Sequence, residues 1–308
     1  MDIDLIGNIL HLTIRAGTPL LIVALGELVC EKSGILNLGQ EGMMLMGAVV
    51  GFIAGYHSGS VIVGFTCALL AGMAMSLLFG FIAMQLNANQ VATGLALTIF
   101  GTGLSGFIGL NYVGESLTGL SELSFWGLNE IPLLGHIFFS HDIIVYISIA
   151  IAVAVYFFFK SSRAGLIVKA VGESPESAQA IGLPVLKVRY LAIMFGGAMA
   201  GMAGAYLSLV ITPLWADNMT AGRGWIALAL VVFASWRVER VLLGAYLFGF
   251  AGILNLVLQG MGVSTSPNLL ATMPYIATIV VLVLLSRNQT KIKLFAPMSL
   301  GKHFHTSD

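Results

Sequence analysis

The sequence predicts an all-α fold, a polytopic bundle of about eight to ten transmembrane helices forming a single membrane domain. Three observations carry this. Of the 308 residues, 58% are hydrophobic and only 9% charged, against roughly 25% charge in soluble domains. The apolar residues fall in runs that approach the ~20 residues needed to cross a ~30 Å hydrocarbon core. Glycine is frequent, at 37 residues, as suits helices packed backbone to backbone in lipid.

In chain order the candidate spans cover roughly residues 9–30, 41–56, 61–86, 89–110, 143–159, 188–210, 225–236, 241–259 and 271–286. The segments 41–56 and 225–236 are short for a full crossing. They are expected to extend into their flanks, to be broken, or to re-enter. The N-terminal MDIDLIGNILHL carries two acids and no basic stretch, unlike a secretory leader. Cys30 and Cys67 lie in apolar segments without metal-ligand spacing and read as small buried residues. The net charge is zero, which offers nucleic acid no bulk attraction.

Charge placement orients the bundle. Lys160, Arg163, Lys169, Lys187 and Arg189 fill one loop. Arg287, Lys291, Lys293 and Lys302 fill the tail, Arg237 and Arg240 share a short turn, and Lys32 occupies another. The loop at about 111–142 has no Lys or Arg and holds Glu115, Glu122, Glu130 and Asp142. Basic loops stay on the cytoplasmic face. Nine alternating spans then put the N-terminus outside an inner (cell) membrane, with the loop at about 160–187 and the tail at about 287–308 in the cytoplasm.

The loop KSSRAGLIVKAVGESPESAQAIGLPVLKVRY contains a punctuated helix over 175–181. Ser174 is an N-cap, Pro175 fits the first helical position, and Glu176 complements the positive helix end. Gly182 fits the position after the last turn, and Pro184 stops continuation. Ser177 stands where a full capping box would have Glu or Gln. A helix of about two turns is marginal alone in water, so it needs a surface to dock against. Two readings follow: a turn packed on its own spans, or a helix whose small Ala178 and Ala180 let a partner's groove approach.

The run GESPESAQAIGLPVLKVRYLAIMFGGAMAGMAGAYLSL, together with GELVCEKSGILNLGQEGMMLMGAVVGF at 26–52 and NMTAGRGWIALALVVFASW at 218–236, is similar to permease subunits of ABC importers. The group is the one that serves branched-chain amino acids, simple sugars and nucleosides, and the two signatures resemble its nucleoside (basic membrane protein-type) members most. The resemblance runs from about residue 17 to 286. Two departures stand out: Ala234–Ser235–Trp236–Arg237–Val238–Glu239–Arg240 lacks the Pro-containing turn of many relatives, and the tail after about 287 carries no recognised signature.

The resemblance implies a permease domain that works as a membrane dimer, of two copies or of two related subunits. It implies a coupling helix, here Pro175, Glu176, Ser177, Ala178, Gln179, Ala180, Ile181 and Gly182, that contacts a cytoplasmic ABC ATPase. It also implies an extracytoplasmic substrate-binding protein. The solute it points to first is a nucleoside; simple sugars and branched-chain amino acids are alternatives. No phosphate-binding G-x-x-x-x-G-K-[ST] run and no metalloprotease or esterase motif occurs. The chain is therefore expected to be no enzyme and to hold no cofactor, with ATP and Mg²⁺ on the partner ATPase.

Polar groups at membrane depth are costly and face protein or water. Asn37, Gln40 and Glu41 open the second span among glycines, Asn89 lies in the turn before the fourth, and Asn255 and Gln259 are four apart in the eighth. These six are candidates for a translocation pathway. Asn89 also suits a turn, Asn255 and Gln259 suit interhelical contacts, and Glu41 suits an ion pair with Lys32. Asp217 and Arg223 bracket the second signature on the expected outer face and are candidates for contact with the binding protein. Two classes compete: an ion-coupled secondary transporter, which would need essential carboxylates, for which Glu27 and Glu41 are the candidates, and a purely structural or channel-forming subunit, which would need no ATPase partner.

Overall fold

The computed structural model describes residues 3–120, 134–260 and 295–302, together with 123, 272, 276, 279 and 304. Its α-helices are α1 (Ile3–Lys32), α2 (Gln40–Ser58), α3 (Val61–Gly80), α4 (Gln90–Gly109), α5 (Leu134–Phe138), α6 (Ile143–Ser161), α7 (Arg163–Glu173), α8 (Pro175–Ala180), α9 (Val185–Tyr206), α10 (Arg223–Phe233) and α11 (Val238–Gly260). α3 and α9 each run on into a wider turn, Phe81–Gln85 and Leu207–Ile211, closed by Leu86 N–H to Phe81 C=O and Thr212 N–H to Leu207 C=O.

Among the described residues, six helices are long and apolar enough to cross a membrane: Leu5–Lys32, Val61–Gln85, Gln90–Tyr112, Ile143–Ser161, Val185–Ile211 and Val238–Gly260. Each carries one expected span. The two short segments differ for physical reasons. α2 has 19 residues, but polar groups stand at both its ends and protein covers most of its length. α10 has only 11 residues, about 16 Å at 1.5 Å per residue, so it is a half-helix. The expected span 271–286, Arg287, Lys291, Lys293, Glu122 and Glu130 lie outside the described residues.

α2, α3 and α9 form the centre, and glycines let them touch. A Cβ on Gly47 would fall on the backbone of Gly201, one on Gly72 on the Gly197 carbonyl, and one on Gly204 on the Met44 carbonyl. Close approach maximises dispersion contact where lipid supplies no hydrophobic drive. Leu21, Leu25, Met43, Met44, Phe52 and Tyr206 fill the surrounding core.

Basic and acidic loops separate to opposite ends. At one end Lys32 Nζ donates to the Phe295 carbonyl (2.9 Å), Lys169 Nζ donates to the Phe159 carbonyl (2.9 Å), and the buried Arg189 donates to the Ser33 carbonyl (3.2 Å). At the other end Tyr56 donates to Glu115 (3.2 Å), His57 bonds the Tyr112 hydroxyl (2.7 Å), and Leu117 N–H reaches Pro213 (2.8 Å). These are called the basic and acidic ends below.

Candidate functional site

The segment after α1 climbs along α4 before α2 starts. Leu36 N–H donates to Gln90 Oε1 (2.9 Å) at the foot of α4, and Thr98 Oγ1 donates to the Leu38 carbonyl (3.0 Å). Gly42 then packs on Thr98 and Gly101, near the middle of α4. α2 therefore begins deep inside the bundle. The amides just before it are satisfied locally: Asn37 Oδ1 accepts from Gly39 N–H (2.9 Å), and Glu27 of α1 accepts from Asn37 N–H (3.2 Å) and from the Gln40 side-chain amide.

α10 begins at the same depth. The fully packed Glu41 carboxylate accepts from the Thr220 hydroxyl, from Gly222 N–H at 2.8 Å and from Gly224 N–H at 2.6 Å. Gly222, with φ +81°, turns the chain into the helix. A carboxylate here meets the positive end of the helix dipole and amides that have no intrahelical partner. Two helix N-termini thus converge on one side chain in mid-bundle. The expected alternative, a Glu41–Lys32 pair, is replaced by this contact, since Lys32 turns away to Phe295.

From Glu41, α10 runs to the basic end. There Ser235 and Trp236 adopt φ of +51° and +53°, and Trp236 N–H closes on the Val231 carbonyl (3.2 Å). Two left-handed residues make the turn for which the sequence offers no proline. The Trp236 indole donates to the buried Glu31 carboxylate, one helical turn from Glu27 on α1.

Of the predicted polar residues, Asn37, Gln40, Glu41 and Arg223 come together at this junction. Arg223 is not on an outer face: by that residue the chain has descended to Glu41, and the guanidinium folds back on the Met219 and Thr220 carbonyls (3.1 Å each). Asp217 remains exposed, beside Gly106. Asn89 caps α4 by accepting Ala92 N–H (3.0 Å), which is its turn role. Gln259 is exposed near the end of α11, and the Asn255 side chain lies outside the described residues. Sequence reasoning missed Glu31, Thr220 and Trp236. The available signal was the four-residue spacing of Glu27 and Glu31, which puts two carboxylates on one face of an apolar helix.

At the basic end α8 forms as its punctuation predicts. Ser174 Oγ accepts Ser177 N–H (3.2 Å), Pro175 opens the helix, and Gly182 has φ +84°. Leu183 N–H returns to the Ala178 carbonyl (3.0 Å). The helix has a defined inner and outer side. Pro175 and Ala178 are buried, Ala178 against Val171, Val185 and Phe304. Glu176, Ser177, Ala180, Ile181 and Gly182 are exposed. Of the two small residues expected to let a partner approach, Ala178 faces inward and Ala180 lies exposed, because residues two apart on a helix point in different directions.

The family described as branched-chain amino acid transport system / permease component matches residues 9–285. The chain belongs to this permease family. A Haloferax volcanii protein provisionally named a glucose ABC transporter permease is 41% identical, over 97% of each chain. A guanosine ABC transporter permease of Bacillus subtilis is 32% identical over 92% of this chain and 93% of its own. A nucleoside ABC transporter permease of Lactococcus lactis is 28% identical over 87% and 88%. Two of the three stretches that carried the family resemblance, 26–52 and 218–236, meet at Glu41 in this permease. Membership in the family also implies an ATPase and a substrate-binding partner.

Proposed function

We propose that the chain is the membrane-spanning subunit of an ATP-driven importer for a small polyhydroxylated solute, a purine nucleoside first. The carrying observation is α8: a short helix, capped at both ends, seated on the basic end with Ile181 75% exposed. An aliphatic side chain left open at the tip of a fixed helix suits insertion into a partner's groove. The basic end is the cytoplasmic one by the positive-inside rule, with the N-terminus outside. The second permease subunit is a copy of this chain or a related one.

In this reading the ATPase moves α8, and the two helices that begin at Glu41 are the elements that α8 displaces. Asn37, Gln40 and Glu41 define the depth at which the path opens, with Asn255 and Gln259 on α11 as further candidates. Asp217, at the acidic end, faces the substrate-binding protein. A hexose is the second reading, favoured by the relative named for glucose.

The test is uptake of labelled guanosine and labelled glucose in cells expressing the chain with its neighbouring permease, ATPase and binding protein. The variant Ala180→Arg plus Ile181→Arg is run beside wild type. Uptake of one solute that the double variant abolishes, at equal membrane abundance, supports the reading and assigns the substrate. Uptake that the variant leaves intact rejects α8 as the coupling element.

A further inference from the structure

The tail that carried no recognisable signature is bound into the basic end at several points. Ser299 donates through both its amide (3.0 Å) and its hydroxyl (2.6 Å) to the Gly172 carbonyl at the end of α7. Arg189 of α9 donates to Ser299 Oγ (3.3 Å) and to the Ser33 carbonyl (3.2 Å). Gly301 N–H reaches the Gly34 carbonyl (3.1 Å). Gln90 donates to the Lys302 carbonyl (3.3 Å) while accepting Leu36 N–H (2.9 Å). Phe304 is buried beneath α8 with Val171, Ala178 and Val185, and the Arg189 guanidinium lies 5.6 Å from its ring.

Chain termini stay disordered unless something ties them down, because ordering each residue costs entropy. These contacts do more than anchor an end. One side of the tail is the floor of the coupling helix. The other side holds Gly34 and, through Gln90, Leu36, in the segment that climbs to α2 and Glu41. Space is tight there: Gly34 has φ +89°, and a Cβ on it would meet Ser299 Oγ.

We propose that Ser299, Gly301, Lys302 and Phe304 form a strap that positions the coupling helix against the segment leading to the Glu41 junction. Motion of α8 then reaches α2 and α10 through the strap as well as through α9. The proposal rests on the importer reading above and adds a mechanical link to it. Ser299 and Phe304 are positioning residues: they act on α8 and on residues 33–36, not on solute. Removing the Phe304 ring leaves α8 its Ser174 and Gly182 caps but takes away its floor, so the helix persists with a loosened orientation.

The experiment uses the full complex, with ATPase and binding protein, in proteoliposomes. Uptake and ATP hydrolysis are measured in the same vesicles for wild type, Phe304→Ala, Ser299→Ala and Phe304→Leu. Assembled complex is quantified for each. The expected result is a fall of roughly fivefold in solute moved per ATP for the two alanine variants, with assembly unchanged. Phe304→Leu, which refills most of the floor, recovers coupling. Uptake and hydrolysis falling in parallel, loss of assembled complex in both alanine variants, or unchanged coupling in both would each overturn the strap. A wild-type complex that neither engages an ATPase nor moves solute rejects the importer reading itself, which separates the two failures.

Discussion

Glu41 and Gly224 stand 183 residues apart in the chain and share a hydrogen bond of 2.6 Å. The carboxylate belongs to the first turn of α2 and the amide to the first turn of α10. One side chain thus fixes where two interrupted helices begin, at a depth where water cannot replace it.

Replacing Glu41 should therefore be costly. Glu41→Ala leaves the Gly222 and Gly224 amides without an acceptor, a loss of ~3 kcal/mol. Glu41→Gln keeps one acceptor oxygen and loses the charge, a loss of ~1–2 kcal/mol. Thermal unfolding in detergent should rank wild type above Gln and Gln above Ala. Equal midpoints for wild type and Ala would show that the carboxylate does not hold α10.

The far end of α10 offers a parallel test. Trp236→Phe keeps the ring but removes the indole N–H from Glu31. A buried carboxylate that loses a donor costs ~2 kcal/mol. The same unfolding assay should detect it, and an unchanged midpoint would argue that the indole bond carries no stability.

On α8 the two sides predict different failures. Ile181→Glu changes an exposed side chain, so the protein should fold normally and lose stimulation of the ATPase. Ala178→Arg forces a charge between Val171, Val185 and Phe304 and should lower the amount of folded protein in the membrane. Size-exclusion profiles of the two variants beside ATPase assays separate the outcomes. Normal folding of Ala178→Arg would show that its side of the helix is not packed.

Gly201 and Gly103 make a contrasting pair. A Cβ at 201 would meet the Ala68 carbonyl, whereas one at 103 meets nothing within 4 Å. Gly201→Leu should destabilise by ~3 kcal/mol or abolish accumulation, and Gly103→Leu should be close to neutral. Accumulation of both at the wild-type level would mean that the α2–α3–α9 packing is looser than described.

What the sequence revealed depended on range. The caps of α8 were readable because Ser174, Pro175 and Gly182 act on their own neighbours. The six long spans were readable because length and apolar content decide them locally. The partner of Glu41 was not readable: Lys32 is near in sequence, while Thr220, Gly222 and Gly224 are brought in only by the fold. Arg223 was misplaced for a related reason. The short apolar run at 225–236 looks like a clipped span, and nothing local says that the chain has already descended before the helix begins. The tail was opaque because its partners, Gly34, Gln90, Gly172 and Arg189, lie far away in the sequence and are brought to it only by the fold.

The glycine contacts between α2, α3 and α9 fix where this molecule can bend. Side chains between helices act as a soft layer that tolerates sliding; at Gly47 and Gly201 backbone rests on backbone and no such layer exists. Those three helices must move as one stiff block. Whatever gives way during a working cycle lies around that block, in the short broken elements and loops that border it.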